Sequence, residues 1–368
     1  VAQRYAIVPF FIPHEGCPFN CIFCDQRRIS GFLQVPLPSE IEEKIREAVS
    51  RSPSVVPEVA FYGGSFTGLD AALQQKLLEP AFAAYREGLI RGIRVSTRPD
   101  LIDEKALAFL AERGVKTIEL GVQSLSREVL LASGRNYTVP QAERAVRLIK
   151  QWGFALGIQL MLGLPRDTWE RSLATAETVA FWQPDFVRLY PTVVVKNTPL
   201  ADLYFGSRYK PLSLEEAVTW TANLYILFAQ HHVPVIRMGL HPSETLLKPG
   251  EVVAGPFHPA FGELANSRIA RWQLEALFAR CGLEKMPEQG ANAPLRVALL
   301  VNPRWLSPTV GYKKENVVYF SERWGIDIRV QSDNSVGYRD YTVRREEKQK
   351  ILEFSFTWKE FLSSRRIK

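Results

Sequence analysis

Cysteine is scarce in this chain: four residues in 368, too few for a disulfide framework to hold a protein of this length. Long apolar runs are missing as well. No stretch reaches the roughly 20 residues a helix needs to span a bilayer, so no membrane partner is expected. The opening VAQRYAIVPFF lacks the charged segment, apolar core and cleavage site of a secretory signal. These absences point to the cytoplasm, where thiols stay reduced. Charge surplus is also missing from most of the chain. Of the net +7, Ala291 to Lys368 carries six, with 15 Lys and Arg against 9 Asp and Glu. A basic segment beside a near-neutral remainder is the footprint of a polyanionic partner or of a plain basic surface. What is present is 46% hydrophobic residues, enough to bury a sizeable core.

Three of the four cysteines, Cys17, Cys21 and Cys24, fall together in FFIPHEGCPFNCIFCDQRRISG, residues 10–31. Thiolates at CxxxCxxC spacing can each take one corner of a 4Fe-4S cubane. Electron carriers usually supply four thiolates, so three leave one iron open to a ligand. Phe23, just before the last cysteine, would help exclude water. The same cysteines with His14 would make a tetrahedral Cys3His zinc set, although zinc ligands usually come as two separated pairs; a disulfide pair with one leftover thiol is the other alternative.

Strands and helices alternate through the first part. Short apolar strands are expected at Val59–Tyr62, Ile93–Ser96, Lys116–Val122, Phe154–Leu162 and Asp185–Tyr190. A helix over Ser39–Ser50 has Ser39 as its N-cap and Glu42 as its capping-box partner. Such alternation implies a parallel sheet, here a partial (β/α) barrel, and barrel active sites sit at the C-terminal strand ends. Polar and glycine residues cluster there: Gly63, Gly64, Ser65 and Thr67 in YGGSFTG, Ser96 in STRPD, Gln123 and Ser124 in GVQS, and Gln159 in GIQLMLGLP. Glycine lets a ligand approach the backbone. Gln123 and Gln159 add side-chain amides there, and the planar fork of Arg135 suits a carboxylate.

CPFNCIFC resembles the signature of radical S-adenosylmethionine (SAM) enzymes. The resemblance implies that SAM chelates the open iron through its methionine amino and carboxylate groups. One-electron reduction, from an external donor such as flavodoxin or ferredoxin, then gives a 5'-deoxyadenosyl radical that abstracts hydrogen from substrate. It also implies that the Gly63-Gly64 turn binds the methionine amino group, Gln123 and Gln159 the adenosine or ribose, and Arg135 the carboxylate. From about Phe10 to Val218 the chain is similar to the radical SAM domain of the Elongator catalytic subunit, most specifically in YPT (Tyr190 to Thr192) and SRYKP (Ser207 to Pro211). That family modifies the wobble uridine of tRNA, so RNA, and tRNA first, is the implied substrate. Tyr190 and Lys196 become substrate or catalytic candidates. No acetyltransferase-like domain follows the barrel, and Ser96 stands where Elongator-like enzymes usually carry Glu before TRPD. Action on a small metabolite or peptide, or a catalytically silent RNA-binding protein, are the alternatives.

The chain divides by pattern into a barrel (1–235), a Gly/Pro-rich segment (236–290) and a basic α/β module (291–368). His241, His258 and Glu263 in the middle segment are candidates for substrate binding or proton transfer at the barrel mouth, or for filling a Pro-shaped loop. The module reads as strand (Leu295–Val301), short helix, loop, helix and strand (through Val330). This order resembles a KH core, whose GxxG loop clamps a nucleic-acid backbone. Here that loop is Gly311-Tyr312-Lys313-Lys314, with Lys in place of the second glycine. Farther on, Arg344, Arg345, Lys348, Arg365 and Arg366 alternate with Phe354, Phe356 and Trp358. Such a mixture serves phosphates and stacked bases, or is an amphipathic element packed on the barrel.

Overall fold

The computed structural model describes residues 6–13, 15–18, 21–52, 54–283, 295–347 and 350–367; His14 and Lys348 lie outside the described residues. The chain forms two compact units, residues 1–217 with 233–259, and residues 218–232 with 260–368.

In the first unit, strands β1 (Ile7–Ile12), β2 (Glu58–Gly63), β3 (Ile93–Thr97), β4 (Val115–Gln123), β5 (Ala155–Leu162) and β6 (Phe186–Pro191) line up in sequence order. A short β7 (Val194–Val195) leaves the sheet to pair with β9 (Val252–Ala254), and β8 (Val235–Met238) closes it beside β6. Every neighbouring pair is parallel. The five strands expected from sequence all form. β1 and β8 were not anticipated, because each carries Pro or Arg among its apolar residues.

One face of the sheet is apolar throughout. Val59, Phe61, Val95, Ile118, Leu120, Ile158, Leu160, Val187 and Leu189 are all at most 1% exposed, each contributing about 1.5–3 kcal/mol by burial. The other face is polar: Glu58, Tyr62, Arg94, Ser96, Glu119, Gln159, Arg188 and Tyr190 follow one another at period two. Arg188 on β6 hydrogen-bonds the Tyr62 hydroxyl on β2 at 2.9 Å. A side chain reaches a strand four places away only if the sheet curls, so the polar face is the concave lining of a half-barrel.

The first long helix runs over Pro38–Arg51 rather than Ser39–Ser50. Pro38 at the first helical position fixes the start, and Glu40, not Glu42, accepts from the Leu37 N–H at 2.8 Å. Glu42 pairs with Arg46 instead.

The second unit holds a four-stranded sheet in the order β11 (Ile326–Ser332), β10 (Leu295–Val301), β12 (Tyr341–Glu347), β13 (Lys350–Phe356). β10 and β11 are parallel and the other pairs antiparallel. Its core gathers Phe278, Trp305, Phe320, Tyr341, Phe356 and Phe361. The basic and aromatic tail divides: Phe356 and Trp358 join this unit's core, while Phe354 and Arg344 are exposed. Trp358 packs there with Phe361, the Arg365 guanidinium lies 4.3 Å from the Trp272 ring, and Arg344 pairs with Glu353 at 2.7 Å.

Candidate active site

The three cysteines sit on the loop after β1, pinned from three sides. The Ile22 N–H donates to the Ser133 carbonyl (3.2 Å), and its own carbonyl accepts from Leu200 N–H (2.9 Å). Phe23 is buried with Val129, Leu164, Val194, Leu200 and Tyr209, against which Cys21 and Cys24 also pack. The glycine-rich turn after β2 locks the loop from the other side. Ser65 N–H donates to the Glu15 carbonyl at 3.2 Å. A Cβ on Gly64 would lie 2.1 Å from that carbonyl oxygen, and one on Gly16 2.2 Å from the Ser65 carbonyl oxygen. Gly63 has φ 104°, a conformation open to glycine. These glycines therefore serve first to let two backbones touch.

Each thiol has a hydrogen-bond partner from a different place. Cys17 Sγ meets Ser65 Oγ at 3.3 Å, Gln26 Nε2 donates to Cys24 Sγ at 3.1 Å, and Arg135 Nη1 donates to Cys21 Sγ at 3.2 Å. Arg98, held in a fork by Asp100 (2.9 and 3.0 Å), approaches Cys21 Sγ at 3.8 Å. Burial, with Cys21 beside it, pushes the Cys24 thiol up to about 12. All four cysteines are free. As a bare thiol Cys24 would be inert at neutral pH; a bound cation deprotonates a coordinating thiol outright. The donor set fits a cationic iron cluster whose sulfurs accept these N–H and O–H groups. Among the described residues no three His, Cys, Asp or Glu side chains converge to hold a single ion, a convergence that a cubane with one thiolate per corner does not need.

The strand-end residues lie around this loop. Thr67 Oγ1 contacts Thr97 Oγ1 at 2.6 Å. Gln123 takes φ 64° at a break in the β4–β5 register and accepts from Gln159 Nε2 at 3.3 Å, so the two glutamines meet. Ser124 is buried and accepts from Ser126 N–H. Ser96 is on the concave face, partly exposed. Arg135 is buried, with Nη2 on the Gly121 carbonyl, while its Nε is buried without a partner. That orphaned N–H fits an arginine whose remaining partner is a ligand.

Deeper in the barrel is a network that sequence reading missed. Arg94 Nη2 and Nε donate to Glu58 (2.7 and 3.2 Å) and its Nη1 to Glu119 (2.6 Å), while Thr117 donates to the other Glu58 oxygen. Arg188 Nη2 donates to Glu119 at 2.9 Å and to Tyr62, and Nη1 to the Tyr190 hydroxyl at 3.3 Å. Burial, followed by the Glu119 charge, pushes the Tyr62 phenol up to about 12. Room for the network comes from Gly157, where a Cβ would lie 2.3 Å from the Phe186 ring that stacks on Arg94. The available signal was charged residues inside otherwise apolar parallel strands.

Lys196 is exposed after β7. His241 is exposed, its Nδ1 3.1 Å from Arg237 Nη2; partial burial and that guanidinium hold its pKa down. His258 is half-buried in the first unit. Glu263 belongs to the second unit, where it accepts from Ser307 Oγ at 2.5 Å. Lys210 and Pro211 of SRYKP, with Tyr204, Val253, Ala254 and Gly255, line an open groove of about 740 Å³. In the second unit, Gly311 to Lys314 join the helices Leu306–Val310 and Glu315–Trp324. Lys313 and Lys314 are exposed and both left-handed, at φ 52° and 66°. Lys314 thus takes the backbone region that a glycine there would favour. Tyr312 is half-buried, with the Lys313 ammonium 5.5 Å from its ring centre.

A curled parallel sheet with three gathered cysteines at its mouth defines a class. The radical SAM superfamily model matches residues 11–179 and the radical SAM C-terminal domain model residues 184–271, together well over half of the chain. The chain belongs to the radical SAM superfamily, a family of enzymes whose cofactors are a 4Fe-4S cluster and SAM. Within it, the chain is homologous to the radical SAM region of the Elongator catalytic subunit and of archaeal tRNA uridine(34) acetyltransferase. It is 32% identical over 255 residues to the tRNA uridine(34) acetyltransferase of Methanocaldococcus jannaschii, covering 58% of this chain and 47% of that one. It is 33% identical over 141 residues to Elongator complex protein 3 of Mus musculus, covering 37% and 25%. An uncharacterized protein of Methanocaldococcus jannaschii is 27% identical over 252 residues, 64% of this chain and 76% of that one. The chain thus spans about half the archaeal acetyltransferase and a quarter of the mouse protein. The fold matches the Elp3 structure of Methanocaldococcus infernus with a TM-score of 0.54 at 20% identity, over 77% of this chain and 64% of that one. Among the described residues no helix is long and apolar enough to cross a membrane.

Proposed function

We propose that this enzyme modifies RNA, with tRNA as the first candidate, using a 4Fe-4S cluster held by Cys17, Cys21 and Cys24. The observation that carries the reading is the gathering of three thiols, each with its own hydrogen-bond partner, at the mouth of a polar half-barrel. When bound, the cluster and SAM supply a carbon radical that can take a hydrogen atom from substrate, given an electron from a donor such as flavodoxin or ferredoxin. The chain's own residues hold and shield that site. Arg135, Gln26 and Ser65 donate to the sulfurs, and Phe23 closes the loop with apolar bulk. Gln123 and Gln159 offer amide groups toward an adenosine, and the unspent Arg135 N–H is available to a carboxylate. Lys313 and Lys314 offer exposed positive charge to a phosphate backbone.

The tRNA assignment is supported by likeness to tRNA uridine(34) acetyltransferase and by the basic surplus after Ala291. Two measurements test it. Anaerobically reconstituted protein should be brown and should form 5'-deoxyadenosine from SAM under reduction; a colourless zinc protein would overturn the cluster. Mass spectrometry of tRNA nucleosides from a strain lacking the gene should show one modified uridine lost, and an unchanged nucleoside profile would overturn the substrate.

A further inference from the structure

Arg188 spends its hydrogen bonds in an unusual way. Nη2 donates to both Glu119 and the Tyr62 hydroxyl at 2.9 Å, and Nη1 donates to the Tyr190 hydroxyl at 3.3 Å. A phenol oxygen that accepts still has its own proton to give. Among the described residues neither hydroxyl has an acceptor for it. Tyr62 and Tyr190 are only half-buried on the concave face, at the C-terminal ends of β2 and β6, the side where the cysteine loop and the Gly63-Gly64 turn lie. One guanidinium thus turns two phenols into a pair of unspent O–H donors aimed into the barrel.

The local charge decides what they would receive. Arg94 and Arg188 face Glu58 and Glu119, so this level of the barrel has two positive and two negative groups. No positive surplus remains for a carboxylate or phosphate. Two neutral donors suit a neutral acceptor oxygen. We propose that Tyr62 and Tyr190 form a paired hydroxyl cradle for a carbonyl oxygen of the substrate, with Arg188 as the residue that positions both. The carbonyl could come from a pyrimidine ring of RNA or from an acyl group. The cradle rests on the reading above only in placing substrate inside the barrel.

The test uses the full chain carrying 3-fluorotyrosine, with the two fluorine resonances assigned through Tyr62→Phe and Tyr190→Phe. Acetamide, a bare carbonyl probe, should move both resonances along one saturable curve; resonances that stay in place would overturn the cradle. Arg188→Lys keeps the charge but loses the fork, and should weaken the response about three- to tenfold, the worth of roughly one hydrogen bond. Arg188→Met should abolish it, and a wild-type response in a folded Arg188→Met protein would remove the positioning role. Should that variant not fold, the wild-type titration still decides. To separate the sources, acetamide is competed with an anticodon stem-loop carrying uridine or 4-thiouridine at the wobble position, and with acetyl-coenzyme A. Competition by the uridine loop, weakened by sulfur, assigns a base carbonyl; competition by acetyl-coenzyme A alone assigns an acyl carbonyl. An acetamide response without any RNA binding would keep the cradle and overturn the tRNA reading instead.

Discussion

Replacing Arg94 with Met is the sharpest perturbation of the barrel interior. Arg94 is 1% exposed, Glu58 3% and Glu119 4%. The guanidinium makes three hydrogen bonds of 2.6, 2.7 and 3.2 Å to the two carboxylates. After the change Glu119 keeps Arg188, but among the described residues Glu58 keeps only the Thr117 hydroxyl. Removing one partner of a buried ion pair costs about 3–5 kcal/mol, because it strands the other charge. At 1.4 kcal/mol per factor of ten, amides of β3 and β4 that exchange by opening of this unit should exchange about two to nearly four orders of magnitude faster at pH 7.5. Hydrogen exchange read by mass spectrometry on peptides from these strands measures it. Arg94→Met with Glu58→Gln should lose less than Arg94→Met alone. A cost below about 1 kcal/mol, outside the range for a stranded buried charge, or a loss indifferent to Glu58→Gln, would refute this account.

Three further outcomes are expected. Gly64→Ala drives a methyl group into the Glu15 carbonyl and should displace the cysteine loop, read as iron content per chain falling well below wild type after identical reconstitution, with melting lowered by the equivalent of about 1–3 kcal/mol. Burial pushes the Asp167 carboxyl up to about 6, so the folded state holds this proton more tightly than the unfolded chain. Its contribution to stability is present below the unfolded value near 4 and is lost as pH rises through 6; Asp167→Asn should flatten that part of the stability profile in thermal melts. Lys313→Ala with Lys314→Ala should weaken tRNA binding alike for all sequences and lower the slope of log affinity against log salt by about two; filter binding over a salt series with an unchanged slope would count against contact there.

The parts of this molecule that were legible in sequence are those written in short spacings. CxxxCxxC, the Gly-Gly turn and the alternation of apolar strands with amphipathic helices each lie within a few residues, and the gathered thiols and central strands follow them. The Glu58, Arg94, Glu119 and Arg188 network joins residues from four strands, with partners 25 to 69 apart in sequence, so no window contains it. Arg98 and Gln26 were hidden differently. They sit in the motifs that were read, but only the folded loop brings their N–H groups to sulfur. Ser39 looked like an N-cap because its side chain suits one; Pro38 had already set the helix one residue earlier.

Arg188 can also be seen as a strut. A curled open sheet has a soft mode in which its edges flex and its radius changes, and a side chain tying β6 to β2 across the hollow stiffens that mode. That tie sets the spacing of β2 and β6 across the hollow at the height of Arg188. A large polymer that opened the barrel further would first have to break it, whereas a single group sent in from the rim would not.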